Sequence, residues 1–266
     1  MDSCDFAEKR KLFCFTVHYY WMDKDAFLKS DKSIALLRTH DELPRKEYQQ
    51  KISYKTFLID LSQTKQEIFS RFEYTSARYK INKAVKNGVA VTLAQGEADK
   101  KRFYAFYQEF LEHPDRKDKI LALKERELER LVVFQATSPQ GEYLGGIGLL
   151  PSPDKRYLLY KYAASTRKFC ENDLLLWHAI QYAKDAGFAY FDMSWMGRID
   201  DKESKQYQLY QYKKKFGGEL VDFYSFVKLK GVFKIPGDLF NLILKYAFHD
   251  DINNFTLCLK KIGVFR

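Results

Sequence analysis

From Leu12 to Trp21 the chain reads LFCFTVHYYW, an unbroken run of aromatic and branched residues that predicts a strand. A shorter strand is expected over Ile34–Arg38. The polar stretch 40–53, with Pro44 inside it, reads as a loop or short helix. TFLIDL, residues 56–61, is the next strand; Ser62 could N-cap a helix with Gln66 in its first turn. Helical periodicity then runs over 65–87, and Asn87-Gly88 is its stop. Val89–Leu93 is a strand. In the helix expected over 100–113, Phe103, Phe106, Tyr107 and Phe110 form one core-facing stripe.

A highly charged helix is predicted over 117–131. Three strands follow at 132–135, 145–150 and 156–163, separated by Pro139-Gln140-Gly141 and Pro151–Asp154 turns. Antiparallel pairing of this meander is the economical arrangement. The period then changes to helix–strand–helix–strand. A helix over 174–186 buries Leu175, Leu176, Ala179, Ile180 and Ala183 and stops at Gly187. A strand over 188–193 carries Asp192 near its end. A helix from Tyr207 closes on Lys213-Lys214-Lys215-Phe216-Gly217-Gly218, before a last strand. Beyond Pro236-Gly237 lie two short amphipathic segments, 239–248 and 252–262, which mix leucines and aromatics with lysine.

Composition narrows the class. The chain has 266 residues, 46% of them hydrophobic and 17% aromatic, too apolar for disorder. A net charge of +10 favours acidic partners: nucleotide phosphates, RNA, or an anionic membrane face. Cys4, Cys14, Cys170 and Cys258 show no CxxC pairing, so neither a zinc spacing nor a disulfide framework is suggested. No apolar run reaches the length that spans a bilayer, and the charged start lacks the apolar core of a secretion signal. A cytoplasmic location follows, peripheral to the inner membrane face if the C-terminal segments lie on it.

Polar residues gather at the ends of the elements. Arg78, Lys80, Lys83 and Lys86 place a basic surface on one helix, a face suited either to phosphates or to solvent. Residues 161–174 leave a strand through a loop into a helix N-terminus, where exposed amides bind anions and Arg167-Lys168 add charge. Asp192 can cap the following loop, hold a substrate amine or accept a proton. Trp195 walls a pocket or packs. Of the three successive lysines, which point in three directions, one or two at most can face a site. No Ser-His-Asp or Cys-His arrangement is visible, and His178 sits alone in its helix.

In combination these pieces resemble the Fem family of peptidyltransferases, built from acyltransferase domains of the GNAT type. The resemblance runs through Ile59-Asp60-Leu61-Ser62, Arg78-Tyr79-Lys80-Ile81-Asn82-Lys83-Ala84 with Asn87-Gly88-Val89, and Leu175-Leu176-Trp177-His178-Ala179-Ile180 before Gly187. It ends with Tyr190-Phe191-Asp192, Leu209-Tyr210-Gln211-Tyr212-Lys213 and Phe216-Gly217-Gly218. It covers roughly residues 56–235.

The resemblance implies an α/β (α+β) chain with one GNAT-like domain over 56–235, a mixed twisted sheet flanked by helices. Residues 1–55 would be a β extension, the remnant of a first domain of the tandem pair typical of the family, and 236–266 a helical tail. It also implies transfer of an acyl or aminoacyl group to an amine of a cell-envelope precursor such as a peptidoglycan peptide or amino sugar. No tightly bound cofactor or metal is expected. The donor is aminoacyl-tRNA, or a thioester of coenzyme A or acyl carrier protein. Partners are then phosphate-bearing substrates, with tRNA and the membrane as further candidates. Lys213 matches the family lysine associated with substrate phosphate, and Asp192 stands where the family has an acid; these two are the catalytic assignments. Substrate contact is assigned to Arg78, Lys83, Tyr162, Arg167, Trp195, Tyr210 and Gly217. The chain departs from the family at Lys215, where a small residue is usual. The 167–172 segment also lacks the glycines of a coenzyme A pyrophosphate loop. A non-catalytic basic module for RNA or membrane is the alternative from another class.

Overall fold

A computed structural model describes residues 7–12, 15–32, 34–48, 50–113, 123–196 and 202–229. The C-terminal segments expected at 239–248 and 252–262 lie outside these residues, as does the start of the helix expected over 117–131. The described chain divides at 52/53 and 223/224 into two compact units.

The smaller unit holds strands β1 (Ala7–Leu12), β2 (Phe15–Trp21) and β3 (Ile34–Thr39), with a short helix α1 (Lys24–Lys29) between the last two. The strand expected over 12–21 is β2, which begins at Phe15; β1, which precedes it and which the pattern does not predict, pairs with it antiparallel. β2 and β3 are parallel, and β3 pairs antiparallel with the second half of β10 (Glu219–Leu229). Tyr20, Phe27, Leu37 and Phe226 fill the core of this unit.

The larger unit holds most of the strands. In chain order it holds β4 (Gln50–Asp60), α2 (Lys65–Ser70), a π-helical turn (Tyr74–Arg78), α3 (Tyr79–Lys86), β5 (Ala90–Leu93) and α4 (Glu97–Glu112). After a 3₁₀ turn over Glu125–Arg130 come β6 (Val132–Thr137), β7 (Tyr143–Pro151), β8 (Tyr157–Ser165), α5 (Glu171–Asp185), β9 (Tyr190–Met196) and α6 (Lys205–Lys214). Within this unit the strands lie in the order β4-β9-β8-β7-β6-β5. All neighbours are antiparallel except β8 and β9, the parallel pair that α5 connects. The expected meander is therefore present.

Strand alternation decides what each face receives. Ile147 and Leu149 point into the main core with Leu175, Leu176, Ala179, Ile180 and Ala183 of α5, the expected apolar set. Gly146 and Gly148 alternate with them and receive the Phe103 ring of α4; a Cβ added at Gly146 would stand 2.8 Å from it. The α4 stripe is buried at Phe103 and Tyr107, as its periodicity predicts.

The uninterrupted helix expected over 65–87 is broken. Thr64 starts α2 with a reciprocal capping box to Glu67, but the chain leaves the helix after Ser70. The Glu73 amide bonds to the Lys215 carbonyl at 2.8 Å instead of a carbonyl of its own helix. Phe72 turns inward there, edge-on to Phe216 and Trp177. A tertiary contact outweighs local propensity, and no periodicity records it.

Candidate functional site

β8 and β9 pair over Tyr157–Leu159 and Tyr190–Asp192. Beyond that register β8 continues to Ser165 and β9 to Met196 as the two strands separate. A wedge opens at the carboxyl ends of a parallel pair, a position where α/β sheets commonly hold ligands.

Asp192 sits at the base of the wedge and is fully buried. Its Oδ1 accepts the Thr56 hydroxyl at 2.6 Å and the Ser194 amide at 2.7 Å. The register of β4 against β9 shifts between Thr56 and Leu58, where β9 carries an extra residue. Ser194 takes up this bulge with φ +68°. The Asp192 side chain, two residues back, supports that conformation by accepting the Ser194 amide. The Thr56 hydroxyl also reaches the Ser194 carbonyl at 2.8 Å.

Lys213, in the last turn of α6, is buried, and its Nζ donates to that same carbonyl at 3.0 Å. Burial pushes its ammonium down to about 8, while the charge of Asp192 pulls the other way. The two residues assigned to catalysis are thus brought together. Tyr210, one turn earlier, packs against Phe57 at 5.5 Å. Trp195 pairs with Thr56 through the backbone; its side chain lies outside the described residues.

The remaining assigned residues are dispersed around this centre. Tyr162 is buried on β8, donates its hydroxyl to Glu127 and stands edge-on to Tyr107. Lys161 Nζ lies 3.9 Å from the same carboxylate. Lys83 is exposed on α3, whereas Arg78, at the end of the π-turn, is half-buried, with its Nε enclosed and without a hydrogen-bond partner among the described residues. Gly217 has φ +68°, and a Cβ there would stand 2.5 Å from the Arg71 carbonyl. It lines a cavity of about 290 Å³ with Arg71, Arg156, Tyr157 and Tyr190, beside the start of β9 rather than the bulge. The double glycine therefore serves close backbone approach, of Gly217 to Arg71 and of Gly218 to Leu58.

The loop before α5 is already satisfied. Glu171, fully buried at the first position of α5, accepts the amides of Arg167 and of Phe169, the latter at 2.9 Å. The Thr166 hydroxyl donates to it at 3.0 Å. Two loop amides ahead of the helix, those of Arg167 and Phe169, are thus engaged by the chain's own carboxylate.

Sequence reading also missed a polar cluster between α5 and α6. Lys215 and Asp173 form a buried ion pair, with Lys80 near both. Burial raises the Asp173 carboxyl and lowers the Lys215 ammonium. Asn172 donates to the Tyr212 hydroxyl at 2.5 Å and also bonds Tyr160, whose buried phenol is raised to about 12. The unusual Lys215 was the available signal: a lysine beside buried apolar residues needs an acid, and Asp173 supplies it. Among the described residues, no group of three or more His, Cys, Asp or Glu could hold a metal, and no helix is long and apolar enough to cross a membrane.

Comparison with solved structures decides the fold. The chain superposes on FemX with a TM-score of 0.59 at 15% identity, covering 89% of this chain and 85% of that one. It has a Fem-like fold. A C-terminal domain of a lysylphosphatidylglycerol synthetase from Agrobacterium fabrum matches with a TM-score of 0.59 at 11% identity, over 90% and 85% of the two chains. L-PGS from Bacillus licheniformis gives 0.57 at 13%, over 88% and 83%. In sequence, the chain is 30% identical over 101 residues to a lipid II:glycine glycyltransferase of Staphylococcus saprophyticus, which is 38% of this chain and 24% of that protein. The Staphylococcus aureus counterpart is 30% identical over 96 residues, 35% of this chain and 23% of that protein. The match thus spans about a quarter of these relatives' length. No family model matches the chain.

Proposed function

We propose that this chain is an aminoacyltransferase that moves an aminoacyl group from a charged tRNA to an amine of a cell-envelope precursor. The observation that carries the reading is Lys213, a buried ammonium tied to the Ser194 carbonyl beside Asp192 at the base of the β8–β9 wedge and lowered to about 8. A group poised there can take a proton from an attacking α-amine, whose own pKa is about 8. The likeness to lipid II:glycine glycyltransferases supports the type of acceptor.

The reaction is direct. The acceptor nitrogen attacks the ester carbonyl of the donor, and backbone amides along the parted strand edges stabilise the oxyanion. Lys213, neutral, takes the amine proton. The tetrahedral adduct collapses, the C–O bond to the ribose breaks, and the lysine ammonium returns a proton to the leaving oxygen. Asp192 and Thr56 act by holding the bulge at Ser194, and so the carbonyl to which Lys213 is tied. Positioning accounts for the rest of the acceleration, with no covalent enzyme intermediate. Glu171 weighs against a coenzyme A thioester as donor, because two loop amides ahead of α5 already serve its carboxylate.

Single-turnover transfer from a pool of charged tRNA to lipid-linked and nucleotide-linked peptidoglycan precursors tests the proposal, with acyl-coenzyme A donors run in parallel. Transfer from tRNA that Lys213→Ala abolishes is the expected result. Turnover with coenzyme A thioesters alone would overturn the donor, and full activity of Lys213→Ala would overturn the base.

A further inference from the structure

The π-helical turn and α3 carry a surface that the transfer chemistry leaves unexplained. Residues 74–86 read YTSARYKINKAVK, with four cations and no acid. Ala77, Ile81 and Ala84 face the core. On the outer side Tyr79, Lys83 and Lys86 recur at spacings of four and three, which keeps them on one helix face. Five large hydrophobic residues are exposed among the described residues, and three of them lie here: Tyr74 at 72%, Tyr79 at 58% and Val85 at 59%.

The widened turn explains the alignment. The Arg78 amide bonds to the Glu73 carbonyl, five residues back, at 3.1 Å, and the Tyr79 amide reaches the Tyr74 carbonyl in the same way. In a regular α-helix, residues five apart point well away from each other; in a π-turn they stand one turn apart on the same side. The turn therefore places both tyrosine rings on the outer surface. Rare as an element, the π-turn is found disproportionately at functional positions.

We propose that this surface, Tyr74 and Tyr79 beside Lys83 and Lys86 with Val85 on its flank, docks the protein on an anionic lipid bilayer. Tyrosine suits the headgroup level, with an apolar body and a polar tip. Lysine stems lie along the apolar surface while their ammonium groups reach lipid phosphates. Val85 adds aliphatic area. A single-stranded RNA fits less well, since stacking needs open ring faces and a basic groove. Here Arg78 lies over the Tyr74 ring at 4.9 Å, Lys83 lies 6.0 Å from the Tyr79 ring centre, and valine cannot stack. The docking is independent of which group the protein transfers and is read without turnover.

Co-sedimentation of the full chain with vesicles tests it. The protein is expected to bind vesicles of equal parts phosphatidylglycerol and phosphatidylcholine, to release as salt rises, and to ignore pure phosphatidylcholine. The triple variant Tyr74→Ser/Tyr79→Ser/Val85→Ser should bind the anionic vesicles about tenfold more weakly or worse. Lys86→Glu should weaken binding about fivefold or more. Unchanged melting temperatures would show that both variants remain folded, as exposed positions allow. The proposal fails if the unaltered chain ignores anionic vesicles, or if both variants sediment as it does. It also fails if the triple variant loses a mobility shift with tRNA while vesicle binding is absent throughout, which would assign the face to RNA.

Discussion

Across the β4–β9 pair, Thr56 Oγ1 lies 2.6 Å from Asp192 Oδ1, with both residues fully buried. The Ser194 carbonyl, 2.8 Å away, is the alternative acceptor for the same single proton, so the hydroxyl stands between the acid and the bulge it supports. Thr56→Val keeps the shape and removes the donor. It is expected to destabilise by about 1–3 kcal/mol, because the buried Asp192 side chain loses its hydroxyl donor. Thr56→Ser should recover most of that loss. Urea unfolding of the two variants measures the difference, and equal midpoints would mean that the hydroxyl holds nothing.

Lys213 links activity to pH. If it accepts the proton, transfer rises as pH climbs through about 8, where the buried amine becomes neutral. Lys213→Met should lower turnover by about 10²–10⁴-fold and abolish that limb of the profile. Stability moves the other way. The folded group, lowered from 10.5 to about 8, binds fewer protons than the unfolded one between those values, so its penalty is full below about pH 8 and fades towards 10.5. Lys213→Met should therefore stabilise the fold at neutral pH, by at most about 3 kcal/mol. Thermal melts from pH 7 to 10 should show the two proteins converging as pH rises.

For the buried Lys215–Asp173 pair, asymmetry is the test. Lys215→Ala leaves a buried carboxylate alone and should destabilise by about 3–5 kcal/mol. Replacing both residues by apolar ones of similar size should restore much of that loss. A double-mutant cycle in denaturant that gives strict additivity would show that the two charges are not coupled.

Gly217→Ala meets two obstacles, a left-handed φ of +68° and a carbonyl 2.5 Å from the new Cβ. A loss of about 1–3 kcal/mol is expected. Gly96→Ala, where an added Cβ meets nothing within 4 Å, is the matched control. Comparable melting temperatures for the two would remove the close-approach account of the double glycine.

What the sequence discloses follows from how far each signal travels along the chain. The α5 face, the Gly187 stop and the β6–β8 meander rest on neighbours within one turn or one hairpin, and periodicity reveals them. The pairing of Lys213 with Asp192 was legible only through the resemblance, since 21 positions separate the two in sequence. The break after Ser70 depends on a bond between Glu73 and Lys215, and the Ser194 bulge on Thr56, 138 residues away. Such long-range hydrogen bonds leave no local pattern. Nor does the reason for Glu171: it reads as an ordinary acid in a first helical turn until its three donors are seen around it.

That carboxylate has a thermodynamic consequence. A loop whose amides wait for a ligand's phosphate must be ordered by binding, and the ordering entropy is subtracted from affinity. The Thr166–Cys170 loop carries its own counter-anion, with Arg167 and Cys170 both held in left-handed backbone. The two bonds to Glu171 fix its shape without any ligand, so this rim of the wedge is ordered by folding rather than by binding.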